Sequence, residues 1–269
     1  MGDLKVAYYK VRGRRPGARG YWTYSIRYID ATLRNGGLMS DFAAGVSLPD
    51  GFGRGLGERC VEYPWVFARI PEGAAKILDA GSVFNYDYIV HQEKLKNKSL
   101  TCVTLAPEVY CFYRERVSYL FEDLRQLPIR DESFDMVISI STLEHIGLDN
   151  TRYTEDGSYR ENNPESFVSA VRELNRVLKP GGRLLVTVPF GKYHAFDWLQ
   201  QFDTGMISQL KDGFAGKTVE ESYFRYTETG WNFSRPAACA NDEYYDGLQK
   251  VPRFATARAV ACLSLEKPA

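Results

Sequence analysis

Histidine is scarce in this chain, with three in 269 residues, and cysteine is sparse and scattered. Cys60, Cys102, Cys111, Cys239 and Cys262 are odd in number and never form a C-x-x-C pair. That argues against a disulfide scaffold or a zinc site and fits a reducing cytosol. Net charge is missing too, since Lys plus Arg and Asp plus Glu stand at 34 each. Without a field of one sign, no whole-chain attraction to nucleic acid or to an anionic membrane surface is expected. The one basic group, Lys10, Arg12, Arg14, Arg15 and Arg19, reads as a solvated, partly flexible arm. No apolar run approaches a membrane span and no signal-peptide core opens the chain, so the expectation is a soluble, cytoplasmic protein.

Aromatic residues are abundant by contrast, with 18 Tyr and 15 Phe. They could line a pocket for a sugar or a flat ligand, and core packing accounts for them equally well. The length allows one substantial core, and the expected organisation is a helical and loop extension over residues 1–70 followed by one domain over residues 71–269. Within the extension, Tyr21 to Leu33 spaces Trp22, Ile26, Ile29 and Leu33 as an amphipathic helix, which Asn35-Gly36-Gly37 would stop. Gly45 to Gly57 is rich in glycine and predicts a mobile loop, a candidate lid. Glu58 to Ile70 predicts an apolar helix kinked or begun at Pro64.

From Lys76 onward short apolar strands alternate with amphipathic segments, the pattern of a parallel sheet with helices on its faces. Strands are expected at Lys76–Ala80, Leu100–Leu105, Ser118–Phe121, Phe134–Ile140 and Arg183–Val188, with helices near 86–95 and 109–116 between them. Asn163-Pro164-Glu165 supplies a capping residue, a first-turn proline and an acid for the next helix. Phe167, Val168, Val171, Leu174, Leu178 and, at the stripe's edge, Val177 form its apolar face, and Lys179-Pro180-Gly181-Gly182 is expected to end it. Further on, a short helix near 203–210, a strand at Thr218–Tyr226, an aromatic insertion at about 227–256 and an inner strand at Ala257–Leu265 complete the order.

Three stretches carry a resemblance: ILDAG (Ile77 to Gly81), LPIRDESFDMVISISTLEHI (Leu127 to Ile146) and ELNRVLKPGGRLLVTVP (Glu173 to Pro189). Together they resemble the class I S-adenosylmethionine-dependent methyltransferases of the small-molecule type. The DAGSVFN turn and TLEHIGLDNT also look like methyltransferase domains found among glycan genes. The resemblance implies an α/β, Rossmann-like, doubly wound and mostly parallel seven-stranded sheet with an antiparallel last strand. S-adenosylmethionine would lie across the carboxyl ends of the strands, where the strand order reverses.

Site residues follow from the same resemblance. Gly81 and Ser82 would offer backbone amides to the methionine part, with Asn85 in the same turn and Asp79 orienting the loop or meeting the ammonium group through water. Thr104 stands where the family has a ribose-binding acid, so that role falls on Thr104 or passes to Glu108. Asp123 would accept from the adenine amine with Leu124 packed on the ring, and Ser141 and Leu143 would line the sulfonium side. His194, beside Tyr193 and Asp197, and His145 are the candidate bases. The implied reaction aligns an oxygen or nitrogen of a small-molecule or saccharide acceptor with the activated methyl group, without a metal. Rival readings are a scaffold protein that kept the fold, a nucleic-acid methyltransferase, against which the balanced charge and the absence of an N/D-P-P-Y-type motif speak, and an NAD enzyme, which would need more glycines and an acid on strand two. Nothing in the sequence sets an oligomeric state.

Overall fold

The computed structural model describes residues 2–11, 17–244 and 257–269. In chain order the elements are α1 (Gly2–Val11), α2 (Tyr21–Leu33), α3 (Gly36–Ala44), α4 (Arg59–Phe67), β1 (Ala75–Ala80), α5 (Asp87–Val90), β2 (Lys98–Thr104), β3 (Val117–Phe121), β4 (Phe134–Ile140) and α6 (Thr151–Thr154). They continue with α7 (Phe167–Val177), β5 (Leu178–Pro189), β6 (His194–Ala195), β7 (Gln200–Gln201), α8 (Thr204–Phe214), β8 (Lys217–Thr227), β9 (Gly230–Ser234), α9 (Pro236–Cys239) and β10 (Ala259–Glu266). The main sheet has the order β3-β2-β1-β4-β5-β10-β8-β9. It is eight-stranded rather than seven-stranded, because β8 turns back at Gly230 into an antiparallel β9.

Two compact units divide the chain, one of Met1–Ile70, Pro189–Lys192 and Ser222–Cys262, the other of Pro71–Val188, Tyr193–Glu221 and Leu263–Ala269. The second unit contains β1 to β4, which with β5 pair in parallel throughout. Strand order reverses between β1 and β4, the place where a doubly wound sheet opens a crevice. β10 runs against β5: Gly181 and Lys267 bond at one end, Phe190 and Ala259 at the other. α7 buries Phe167, Ala170, Val171, Leu174 and Val177, spaced for one helical face. That helix stops at Val177, so the expected helix end at Lys179-Pro180-Gly181-Gly182 is instead the start of β5. Leu178 already pairs with Phe134, and Gly181 at φ 73° bends the strand without a Cβ penalty. The expected helix at 86–95 is two short pieces, α5 and a 3-10 turn at Glu93–Leu95, and the one near 109–116 shrinks to a 3-10 turn at Tyr113–Glu115.

In the first unit, Asn35 does not simply stop α2. Its side chain accepts from the Leu38 amide at 3.1 Å and so starts α3. Pro64 lies inside α4 rather than at its start, and Cys60 to Phe67 are all buried, so packing offsets the missing backbone bond. The glycine-rich stretch 45–57 is pinned rather than loose. The Tyr28 hydroxyl accepts from Gly53 N and the Tyr226 hydroxyl from Gly55 N, while the Tyr9 hydroxyl donates to Gly55 O. Phe52 and Leu56 are buried beside these bonds. Of the aromatic insertion and the basic arm, residues 245–256 and Arg12, Arg14 and Arg15 lie outside the described residues; Trp231 is buried and donates to Leu56 O at 3.1 Å.

Candidate active site

The turn after β1 is built around a buried carboxylate. Asp79 is 0% exposed, and its two oxygens accept from Val83 N at 3.1 Å and Phe84 N at 2.7 Å. It therefore holds the loop from inside. Burial pushes its carboxyl up to about 7, against the pull of the Phe84 and Val83 amides and the Cys102 thiol. Gly81, at φ 112°, has a reason the sequence did not show. A Cβ there would lie 2.1 Å from Thr142 Oγ1, so the loop needs glycine to pass the end of β4.

Ser82 and Ser141 complete the two strand ends that flank the reversal of strand order. Both are non-glycine residues in the left-handed region, at φ 58° and 42°. Ser141 N donates to Thr187 O at 2.9 Å, which fixes the turn after β4. Strained backbone of this kind costs about 1–3 kcal/mol per residue and persists where the surroundings impose it, commonly at functional sites.

Ser82 and Asn85 are brought together by Glu108. The Ser82 hydroxyl donates to Glu108 Oε2 at 3.0 Å and Asn85 Nδ2 donates to the same oxygen at 2.8 Å. Asn85 also donates to Tyr110 O and accepts from the Tyr119 hydroxyl at 2.8 Å, which in turn accepts from Phe112 N. Thr104 ends β2 and carries the neighbouring edge, its carbonyl accepting from Glu122 N. Tyr119 is a site residue that sequence reading missed. Its place on β3 opposite Cys102 gave no hint of the partner.

Asp123 is occupied differently. It accepts from Arg125 N and from the Arg125 guanidinium, which forks to Glu161 on the other side. Burial alone would raise its carboxyl; the Arg125 hydrogen bonds and charge outweigh this and hold it below the ordinary carboxylate value. Leu124 is buried at 5% exposure.

The two histidines occupy unlike settings. His145 follows β4, stacks on Trp198 at 5.3 Å and 19°, and places Nδ1 2.8 Å from Trp198 O. A carbonyl can only accept, so Nδ1 carries a proton and donates to Trp198 O. His194 is exposed on β6 opposite Gln201, with its ring against Phe196 at 4.3 Å. Tyr193 and Asp197 are exposed as well, and Leu143 is buried.

Residues 78–186 match a family model described as a methyltransferase domain. The tRNA (carboxymethyluridine(34)-5-O)-methyltransferase of Arabidopsis thaliana is 33% identical over 103 residues, which is 38% of this chain and 19% of that protein. The match thus spans about a fifth of that curated relative's length. Among solved structures, the 1,6-didemethyltoxoflavin-N1-methyltransferase of Burkholderia thailandensis is 17% identical, covering 73% of this chain and 72% of that one, with a TM-score of 0.47. The [4+2]-cyclase SpnF is also 17% identical, covering 93% and 96%, with a TM-score of 0.49. No helix among the described residues is long and apolar enough to cross a membrane. The strand order, the glycine turn after β1 and the match over residues 78–186 together identify that segment as a methyltransferase domain of the class I, S-adenosylmethionine-dependent type.

Proposed function

We propose that the chain methylates an oxygen or nitrogen of a small-molecule or saccharide acceptor. The observation that carries this is the pair of left-handed serines, Ser82 and Ser141, at the ends of the strands that flank the sheet's reversal. A loop shaped by Asp79 from beneath leaves Ser82 to present its backbone to the amino-acid part of the cofactor, while the Gly81 amide, expected to share that task, is instead taken by Val103 O at 2.9 Å. The hydroxyl and carboxylate of Ser82 and Glu108 suit ribose hydroxyls, a task in which Thr104 has one hydroxyl to offer. Asp123 suits an exocyclic amine. S-adenosylmethionine, when bound, supplies an electrophilic methyl group. The chain's own part is then to orient the acceptor, exclude water and take a proton. His145 fits the last task better than His194, because Trp198 fixes its ring just past β4, whereas His194 is exposed on β6.

Calorimetric titration with S-adenosylmethionine and S-adenosylhomocysteine tests the reading. Micromolar binding is expected, weakened roughly 10- to 100-fold in Asp123→Ala. A folded chain that binds neither compound supports the scaffold reading instead. With binding established, turnover on hydroxylated acceptors should fall in His145→Gln far more than in His194→Gln.

A further inference from the structure

Resting on the methyl-transfer reading above, we propose that Arg152 determines acceptor specificity by receiving an oxyanion, a carboxylate or a phosphate, carried by the acceptor. Four side chains form a closed ring. Trp198 is stacked on His145 at 5.3 Å and 19°, and the Arg152 guanidinium carbon lies 3.9 Å from the Trp198 ring centroid. Tyr153 completes the ring, 5.5 Å from that guanidinium and 5.6 Å from the His145 imidazole. All four belong to segments that follow β4 and β5, beyond the carboxyl ends where a doubly wound sheet binds its ligands. The candidate base and a cation therefore share one aromatic support.

That support is held by backbone. His145 Nδ1 bonds Trp198 O at 2.8 Å and Asp149 N donates to Asp197 O at 2.9 Å, so two bonds fix the chain that carries the indole. Arg152 is exposed, and among the described residues no carboxylate pairs with it. The acids close to it in sequence are engaged elsewhere: Asp149 accepts from Thr151 and Arg160, and Asp156 from Ser158. An indole is the best aromatic partner for a guanidinium, and the contact leaves its N–H donors without an acceptor. Arg172 is exposed too, yet has no ring against it among the described residues, so exposure alone does not produce the arrangement. A guanidinium seated on a ring keeps its fork for a two-point bond to an oxyanion.

The test measures dissociation constants by calorimetry on the chain loaded with S-adenosylhomocysteine, using glucuronate, glucose 6-phosphate, glucose and inorganic phosphate. One of the two acidic sugars should bind roughly 30-fold more tightly than glucose, and the one that does identifies the anion. Arg152→Gln should cut that preference about tenfold. Arg152→Lys should cut it about threefold, since lysine keeps the charge without the fork, and it stands in if melting curves show that Arg152→Gln does not fold. Binding should also shift the Trp198 fluorescence, a signal lost in Trp198→Phe while the preference persists. Equal binding of acidic sugars and glucose, no binding of either acidic sugar, or a preference unchanged in the Arg152 variants overturns the proposal and leaves the cofactor reading standing. Inorganic phosphate bound as tightly as the acidic sugars overturns it as well, since the site then takes a bare anion. A folded chain that binds no S-adenosylhomocysteine overturns the reading on which it rests.

Discussion

Asp79 and Asp123 are the same side chain near the ends of strands in one parallel array, and the protein drives their acidities in opposite directions. Asp79 is wholly buried, with amides and a thiol for partners and no cation against it among the described residues, so desolvation dominates and the carboxyl rises to about 7. Asp123 has a 31% exposed side chain against a guanidinium, and its carboxyl falls below the ordinary value. The difference teaches that two backbone donors do not replace one counter-charge. It also sets the two apart in place, with the first aspartate shaping the loop from inside and the second held ionised by Arg125.

The largest test of that contrast is stability against pH. Between about 4 and about 7, native Asp79 holds a proton that the unfolded chain releases, so its contribution is full below that window, falls as pH rises through it and is gone above it. The change amounts to roughly 4 kcal/mol. Urea unfolding at pH 4 and pH 8 should show it in wild type and lose it in Asp79→Asn; an equal pH dependence of the two would break the comparison. Next in size, Asp79→Ala orphans the buried Val83 and Phe84 amides and should cost about 3 kcal/mol at pH 6, read as a lower urea midpoint at unchanged slope. Smallest is the Asp123 side. Its contribution is present above its unfolded value and lost as pH falls through the lowered one, and because the pair is part-exposed, Arg125→Ala should remove less than about 1 kcal/mol at neutral pH. That loss should shrink below pH 4, which an acid titration of the melting temperature would resolve.

What the sequence made legible followed physical range. β4 spans Phe134–Ile140 as expected because a strand buried on both faces is an unbroken apolar run, and α2 spans Tyr21–Leu33 because its period is local. Gly81 was read as special from one residue's chemistry, yet its cause, Thr142, lies far along the chain. LKPGG was expected to end a helix because proline and glycine are the residues least able to continue one. Pairing with β4 and with the Lys267 segment overrides that propensity. Arg125, Glu161, Tyr119 and Trp198 stayed hidden for one reason. Each acquires its role from a partner that no short-range spacing rule connects, as Arg125 does from Glu161.

The contacts of Glu108, Tyr110 and Phe112 fasten the connection between β2 and β3 at three places along its length. In terms of chain entropy, each tether divides one loop into shorter ones, and closure entropy changes slowly with length, so successive tethers are cheap once the first has formed. A ligand that meets this connection meets groups already held in place and gives up less freedom in binding them. The ordering of that connection is accomplished when the protein folds.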